Sequence, residues 1–147
     1  MGSDIFGNLI DWGHIIETLD RLIELKQLDR YQDGLTRILR YRDNWRLRET
    51  VLKHIVHLAE PTEELVHEVI NIAVDEDTYL DMRILAFDAL SHLIPLCIKR
   101  NDIKGHNLVE TAIENMNKLL NSPQPPIFHE VVTKALKTIK KTQENRF

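Results

Sequence analysis

The sequence predicts an all-α protein, a single domain over residues 1–147 built from about seven helices. Three observations carry this. Apolar residues recur at three- and four-residue spacing from one end to the other. Aromatic residues are few (2 Trp, 3 Tyr, 4 Phe) and no β-branched runs alternate with turns, as an all-β chain requires. With 5 Gly, 5 Pro and 43% hydrophobic residues, the 147-residue chain is neither low-complexity nor too small for one continuous core.

The elements follow in order. Ile15, Ile16, Leu19, Leu22, Ile23 and Leu25 form the stripe of a helix over 11–26, with Trp12 expected to pack in its core or cap. Leu35, Ile38 and Leu39 mark a shorter helix, weakened at Gly34 by about 1 kcal/mol relative to Ala. Leu47, Val51, Leu52, Ile55 and Leu58 define the next, with Asp43 or Asn44 placed to cap its start. Pro61 then interrupts the chain. Thr62 caps a new helix whose first turn holds Glu63 and Glu64, where the helix dipole favours acids. Leu65, Val66, Val69, Ile70, Ala73 and Val74 form its buried face.

The segment over 79–100 is apolar around most of its circumference and belongs at the centre of a stack. Pro95 within it predicts a kink or early stop near 91–94. A loop is expected over 101–105, then a helix over 106–121 that turns Leu108, Val109, Ala112, Ile113, Met116, Leu119 and Leu120 inward. Ser122, Pro123, Gln124, Pro125 and Pro126 form the clearest linker before a last amphipathic helix over 127–141.

The net charge of -4 hides a segregation. Residues 1–59 are neutral, 60–90 carry nine acids against Arg83 alone, and 91–147 carry five acids against nine bases. An acidic middle repels phosphate, so nucleic acid is an unfavoured partner; the acids read as a solvated helix face, or functionally as a surface that steers a basic partner. One cysteine excludes a disulfide framework and suits a reducing compartment. The N-terminus carries the acids Asp4 and Asp11 where a signal peptide has basic residues, and no apolar run is long enough to span a bilayer. A cytoplasmic protein without a membrane partner is expected.

The helices repeat. Setting Arg48 on Arg83 pairs Val51 with Ala86, Leu52 with Phe87, Ile55 with Leu90 and Leu58 with Leu93. Setting Ala89 on Ala135 pairs Ala86 with Val132, Leu90 with Leu136 and Leu93 with Ile139. Leu65, Val66, Val69 and Ile70 fall on Leu108, Val109, Ala112 and Ile113. In two copies an acid precedes an apolar–Arg pair and a helical run: Asp43 before Leu47 and Arg48, Asp77 before Met82 and Arg83. This pattern resembles the HEAT-repeat family of armadillo-type folds. The best repeats cover 43–76 and 77–121, with capping helices over 11–42 and 127–141. His129 stands where a third Arg is due, and the first helix lacks the Arg, as capping repeats do. The resemblance implies a right-handed α-solenoid of antiparallel helix pairs, convex along the first helices and concave along the second. It also implies that Arg48 and Arg83 pair with acids, for which Asp43, Asp77 and Asp81 are candidates.

What such a chain does is read from its faces. Polar positions within otherwise apolar second helices, matched by the repeat offsets, are Asp33, Arg37, His67, Asn71, Glu110 and Glu114. They would line a concave groove able to take a peptide or helix of another protein, its rim charges setting association rate. A different reading uses Arg30, Arg37, Arg40, Arg42 and Arg46, interleaved with Tyr31, Tyr41 and Trp45, as a phosphate or nucleic-acid patch; Asp29, Asp33, Asp43 and Glu49 break it up.

Lys134, Lys137, Lys140, Lys141 and Arg146 give the last helix a basic face, and the two exposed ends of a solenoid allow self-association. His54, His57 and His92 share a face under the repeat, but without a matching carboxylate they are read as surface or packing histidines, with no metal or cofactor. Cys97 has no neighbouring base and reads as structural. HEAT-like folds include lyases and a glycosylase, yet no catalytic constellation from either is present, so an enzyme is not expected.

Overall fold

A computed structural model describes residues 6–100 and 102–144. Asp4 and Arg146 lie outside them. Among the described residues there are seven α-helices and no strand: α1 Trp12–Glu24, α2 Gln32–Arg40, α3 Trp45–His54, α4 Glu63–Val74, α5 Leu80–Arg100, α6 Ile103–Leu120 and α7 Pro126–Glu144. A short 3₁₀ turn leads into α2 and another extends α3.

Side chains fix four of the helix starts by satisfying backbone donors that have no partner within the helix. Asp11 accepts from the His14 N–H, Asn44 from Leu47, Thr62 from Leu65 and Asp102 from Gly105. At α7 the first helical residue is Pro126, whose missing N–H costs nothing at that position.

Two expected interruptions are not found among the described residues: the early stop at Pro95 and the loop over 101–105. The segment with Pro95 runs unbroken from Leu80 to Arg100. Leu93 and Ile94 before the proline and Cys97 and Ile98 after it are all buried. Burying each such side chain is worth about 1.5–3 kcal/mol, enough to outweigh the roughly 3 kcal/mol that an interior proline costs. The loop expected over 101–105 is largely helix instead, because Asp102 caps α6 and brings its start forward to Ile103.

The helices form two layers. In one, α1 packs on α3, α3 on α5 and α5 on α7; in the other, α2 packs on α4 and α4 on α6. Across the layers α2 meets α3, α4 meets α5, and α6 meets both α5 and α7. The principal contacts of every helix are therefore with helices one or two places away along the chain. Val51, Leu52, Ile55, Val69, Ile70, Phe87 and Leu90 lie in one buried cluster. Ile113 is only half-buried: the inner stripe of α6 runs through Leu108, Val109, Ala112, Met116 and Leu119, and Ile113 sits at its margin. The stripe of α1 is also narrower than expected. Ile15, Leu19 and Leu22 are buried, whereas Ile16 and Leu25 are 40% and 56% exposed, since among the described residues α1 packs mainly on α3 and the turn before α2. Phe6 and Leu9, ahead of α1, add to the core.

Candidate interaction surfaces

Three side chains, Arg48, Arg83 and His129, make similar anchors near the starts of α3, α5 and α7. Arg48 at the second turn of α3 donates from Nε to the carbonyl of Leu39, 3.0 Å away in the last turn of α2. Arg83, in the same place on α5, donates from Nε to the Ala73 carbonyl at the end of α4, also 3.0 Å away. His129 on α7 sets Nε2 3.2 Å from the Ser122 carbonyl, just past α6. Each of the three therefore ties a helix to the end of the one before it, where carbonyls lack intrahelical partners.

The expected partners Asp43, Asp77 and Asp81 are not used. A guanidinium that enters the core meets orphaned carbonyls sooner than carboxylates, which stay in solvent. Burial lowers the pKa of both arginines; Arg42 adds to the effect at Arg48, while Asp75 and Glu68 there and Glu76 and Asp75 at Arg83 oppose it. The Arg83 guanidinium lies 4.3 Å from the centroid of the Phe128 ring, and its Nη2 is buried without a hydrogen-bond partner. Stacking on the ring face offsets part of that loss.

The loop between α3 and α4 is held from both neighbouring pairs. Asp29 accepts from the N–H groups of Ala59 and Glu60 at 3.0 Å. Buried Gln32 donates to the Glu60 carbonyl at 2.8 Å and accepts from the Thr62 N–H at 2.7 Å. From the far side Arg100 donates to the Pro61 carbonyl at 3.1 Å. Sequence reading missed this hub, although a glutamine inside an apolar helix was its one visible signal. Beside it lies an open cleft lined by Glu60, Glu63, Glu64, Arg100 and Lys104, of mixed charge.

All six groove candidates are exposed. Asp33 and Arg37 lie on α2, His67 and Asn71 on α4, Glu110 and Glu114 on α6, each pair four residues apart and so on one face of its helix. The side chains of Asp33, Asn71, Glu110 and Glu114 make no hydrogen bond or ion pair with a described residue. His67 stands 3.8 Å from Glu63, and Arg37 donates to the Gly7 carbonyl at 2.7 Å.

The alternative arginine patch is dispersed. Arg40 pairs with Glu68 and Arg42 with Asp75, each at 3.0 Å, bridging the end of α2 to α4. Arg46 lies between two indole rings, Arg48 is buried, and Arg30 remains exposed apart from the others. Asp75 is held below its usual pKa first by the Asp77 N–H, then by the Thr78 hydroxyl and Arg42. Arg40 and Arg42 thus tie the end of α2 to α4.

The histidines do not converge. His54 bonds the Thr50 carbonyl and faces Asp20 at 3.3 Å, His92 bonds the Leu58 carbonyl at 2.9 Å, and His57 is exposed. Among the described residues no group of three or more metal-ligating side chains forms. Cys97 is fully buried, and burial pushes its thiol up to about 11. Lys134, Lys137, Lys140 and Lys141 are all exposed on α7. No helix among the described residues is long and apolar enough to cross a membrane.

The chain matches no protein-family model, no curated protein and no solved structure. What the molecule does must therefore be argued from its own surfaces.

Proposed function

We propose that the chain is a small HEAT-like, right-handed α-solenoid that works as a protein-interaction module through its concave face, formed by the exposed side of α2, α4 and α6. The observation that carries this reading is the placement of Asp33, Asn71, Glu110 and Glu114 on three adjacent helices of one layer, exposed and without side-chain partners among the described residues. Arg40, Arg42 and Gln32 on and beside α2, by contrast, are engaged within the fold. Contacts limited to near neighbours along the chain, and anchors repeated at Arg48, Arg83 and His129, support the stacked arrangement.

The face runs from mixed charge at Asp33 and Arg37 to acid at Glu110 and Glu114, which suits a basic or polar helix or extended peptide of another protein. Binding rather than catalysis fits the side chains available: the thiol is buried, and His54, His92 and His129 bond backbone carbonyls. In the cell interior, where a single buried cysteine stays reduced, such a module would work in the cytoplasm.

The test replaces His67, Asn71, Glu110 and Glu114 together by alanine and measures affinity for the partner that the unaltered chain retains. A loss of about tenfold or more is expected. Unchanged affinity, with helicity intact by circular dichroism, would move the site off this face.

A further inference from the structure

Both tryptophans of the chain lie together on a surface outside the proposed groove. Trp45 opens α3, and Tyr79 immediately precedes α5; their rings meet edge to face, with centroids 6.0 Å apart and planes at 88°. Trp12 opens α1. The Arg46 guanidinium lies 5.2 Å from the Trp45 centroid and 5.6 Å from that of Trp12. Trp12, Trp45 and Tyr79 remain 39%, 48% and 44% exposed, so the cluster is an open edge and not part of the core expected for Trp12. Aromatic faces attract cations through their quadrupole, and this edge already holds one.

The surrounding charges say what else it would take. Asp43 and Asp81 are exposed and make no ion pair with a described residue, while Glu49 holds Lys53 at 2.9 Å. Glu49 lies one helical turn beyond Trp45 on α3, and Asp81 stands in the first turn of α5, two residues after Tyr79. Burial raises the Tyr79 hydroxyl pKa, these two carboxylates raise it further, and Arg48 opposes them. Of the nearby arginines, Arg42 pairs with Asp75, while Arg46 keeps its charge and lies over the two indoles. A nucleic acid would bring phosphates against these acids. An apolar partner would bury Asp43 and Asp81 without countercharge, a costly step.

We propose that this edge binds a basic peptide segment, one Lys or Arg side chain of which packs against the Trp45 and Tyr79 rings with Glu49 and Asp81 as its countercharges. The site is separate from the α2–α4–α6 face and stands or falls independently of it.

The probe is a fluorescein-labelled peptide of alternating Gly and Arg, with a Gly–Glu peptide as control, followed by anisotropy at near-physiological salt. The Gly–Arg peptide should bind saturably and, unlabelled, should change the indole emission, since both tryptophans report from the site. Trp45→Ala with Tyr79→Ala, and separately Glu49→Gln with Asp81→Asn, should each weaken binding about tenfold or more. Tyr79→Phe, which keeps the ring, should retain it. Glu63→Gln with Glu64→Gln, in the same acidic segment but at the far end of α4, should leave it unchanged. Equal binding by all variants would mean general charge attraction and would overturn the proposal. So would the absence of binding, preference for the Gly–Glu peptide, or an indole emission that changes with protein concentration alone, which would make a second copy the occupant.

Discussion

Arg83 makes the most demanding commitment of any side chain in the molecule. It carries a charge into the core, gives Nε to the Ala73 carbonyl and lays its plane over Phe128. Arg83→Ala removes the packing and leaves that carbonyl unpaired, so a loss of about 2–4 kcal/mol is expected in urea unfolding. Arg83→Lys should cost less but still destabilise, because an ammonium has neither the Nε geometry nor the flat face. Cys97 gives a second expectation. Its thiol holds its proton up to about 11 in the folded chain, whereas an unfolded thiol ionises near ~8.5. Between those values only the unfolded chain releases the proton. The contribution to stability is therefore complete below ~8.5 and is lost as pH rises toward the folded value; Cys97→Ala should flatten that part of the stability–pH curve. The equivalence of Arg48 and Arg83 was legible from the repeat offset alone. Their partners were not, because a backbone carbonyl has no letter in the sequence, and pairing an arginine with the nearest acid was the natural error.

Among the elements, α5 and α6 approach each other closely at Gly105. A Cβ built on Gly105 would lie 2.6 Å from the Cys97 carbonyl oxygen and 2.8 Å from the Asp102 carboxylate. The first turn of α6 therefore rests directly on the last turn of α5. Gly105→Ala should push these helices apart and cost about 1–3 kcal/mol, read as a lower midpoint in thermal or urea unfolding. The same residue lies in the loop expected over 101–105, but here it permits close approach inside a helix. Pro95 misled in the same way. Local propensity spoke for a break at both places, and burial on the flanking turns decided otherwise. Helix starts were more readable, since Asn44 and Thr62 cap where their side chains announce it.

At the scale of the whole molecule, neighbouring helix pairs share a core and distant pairs do not touch as principal partners. The all-α class and the exposed positions on α2, α4 and α6 were legible because both follow from helical periodicity. The aromatic edge was not, because an indole in an amphipathic helix looks like core until the neighbours that leave it uncovered are known. If the pairs form a linear stack, a defect at one end should fade along the chain. Phe128 provides the lever: it is fully buried in α7, meets Phe87 of α5 at a centroid distance of 5.3 Å, and supports the Arg83 guanidinium. Native-state hydrogen exchange on Phe128→Ala tests the stack most directly. Stacking predicts that protection falls most in α7, less in α5 and α6, and least in α1 and α2. An equal loss in all seven helices would mean a single indivisible core and would contradict it.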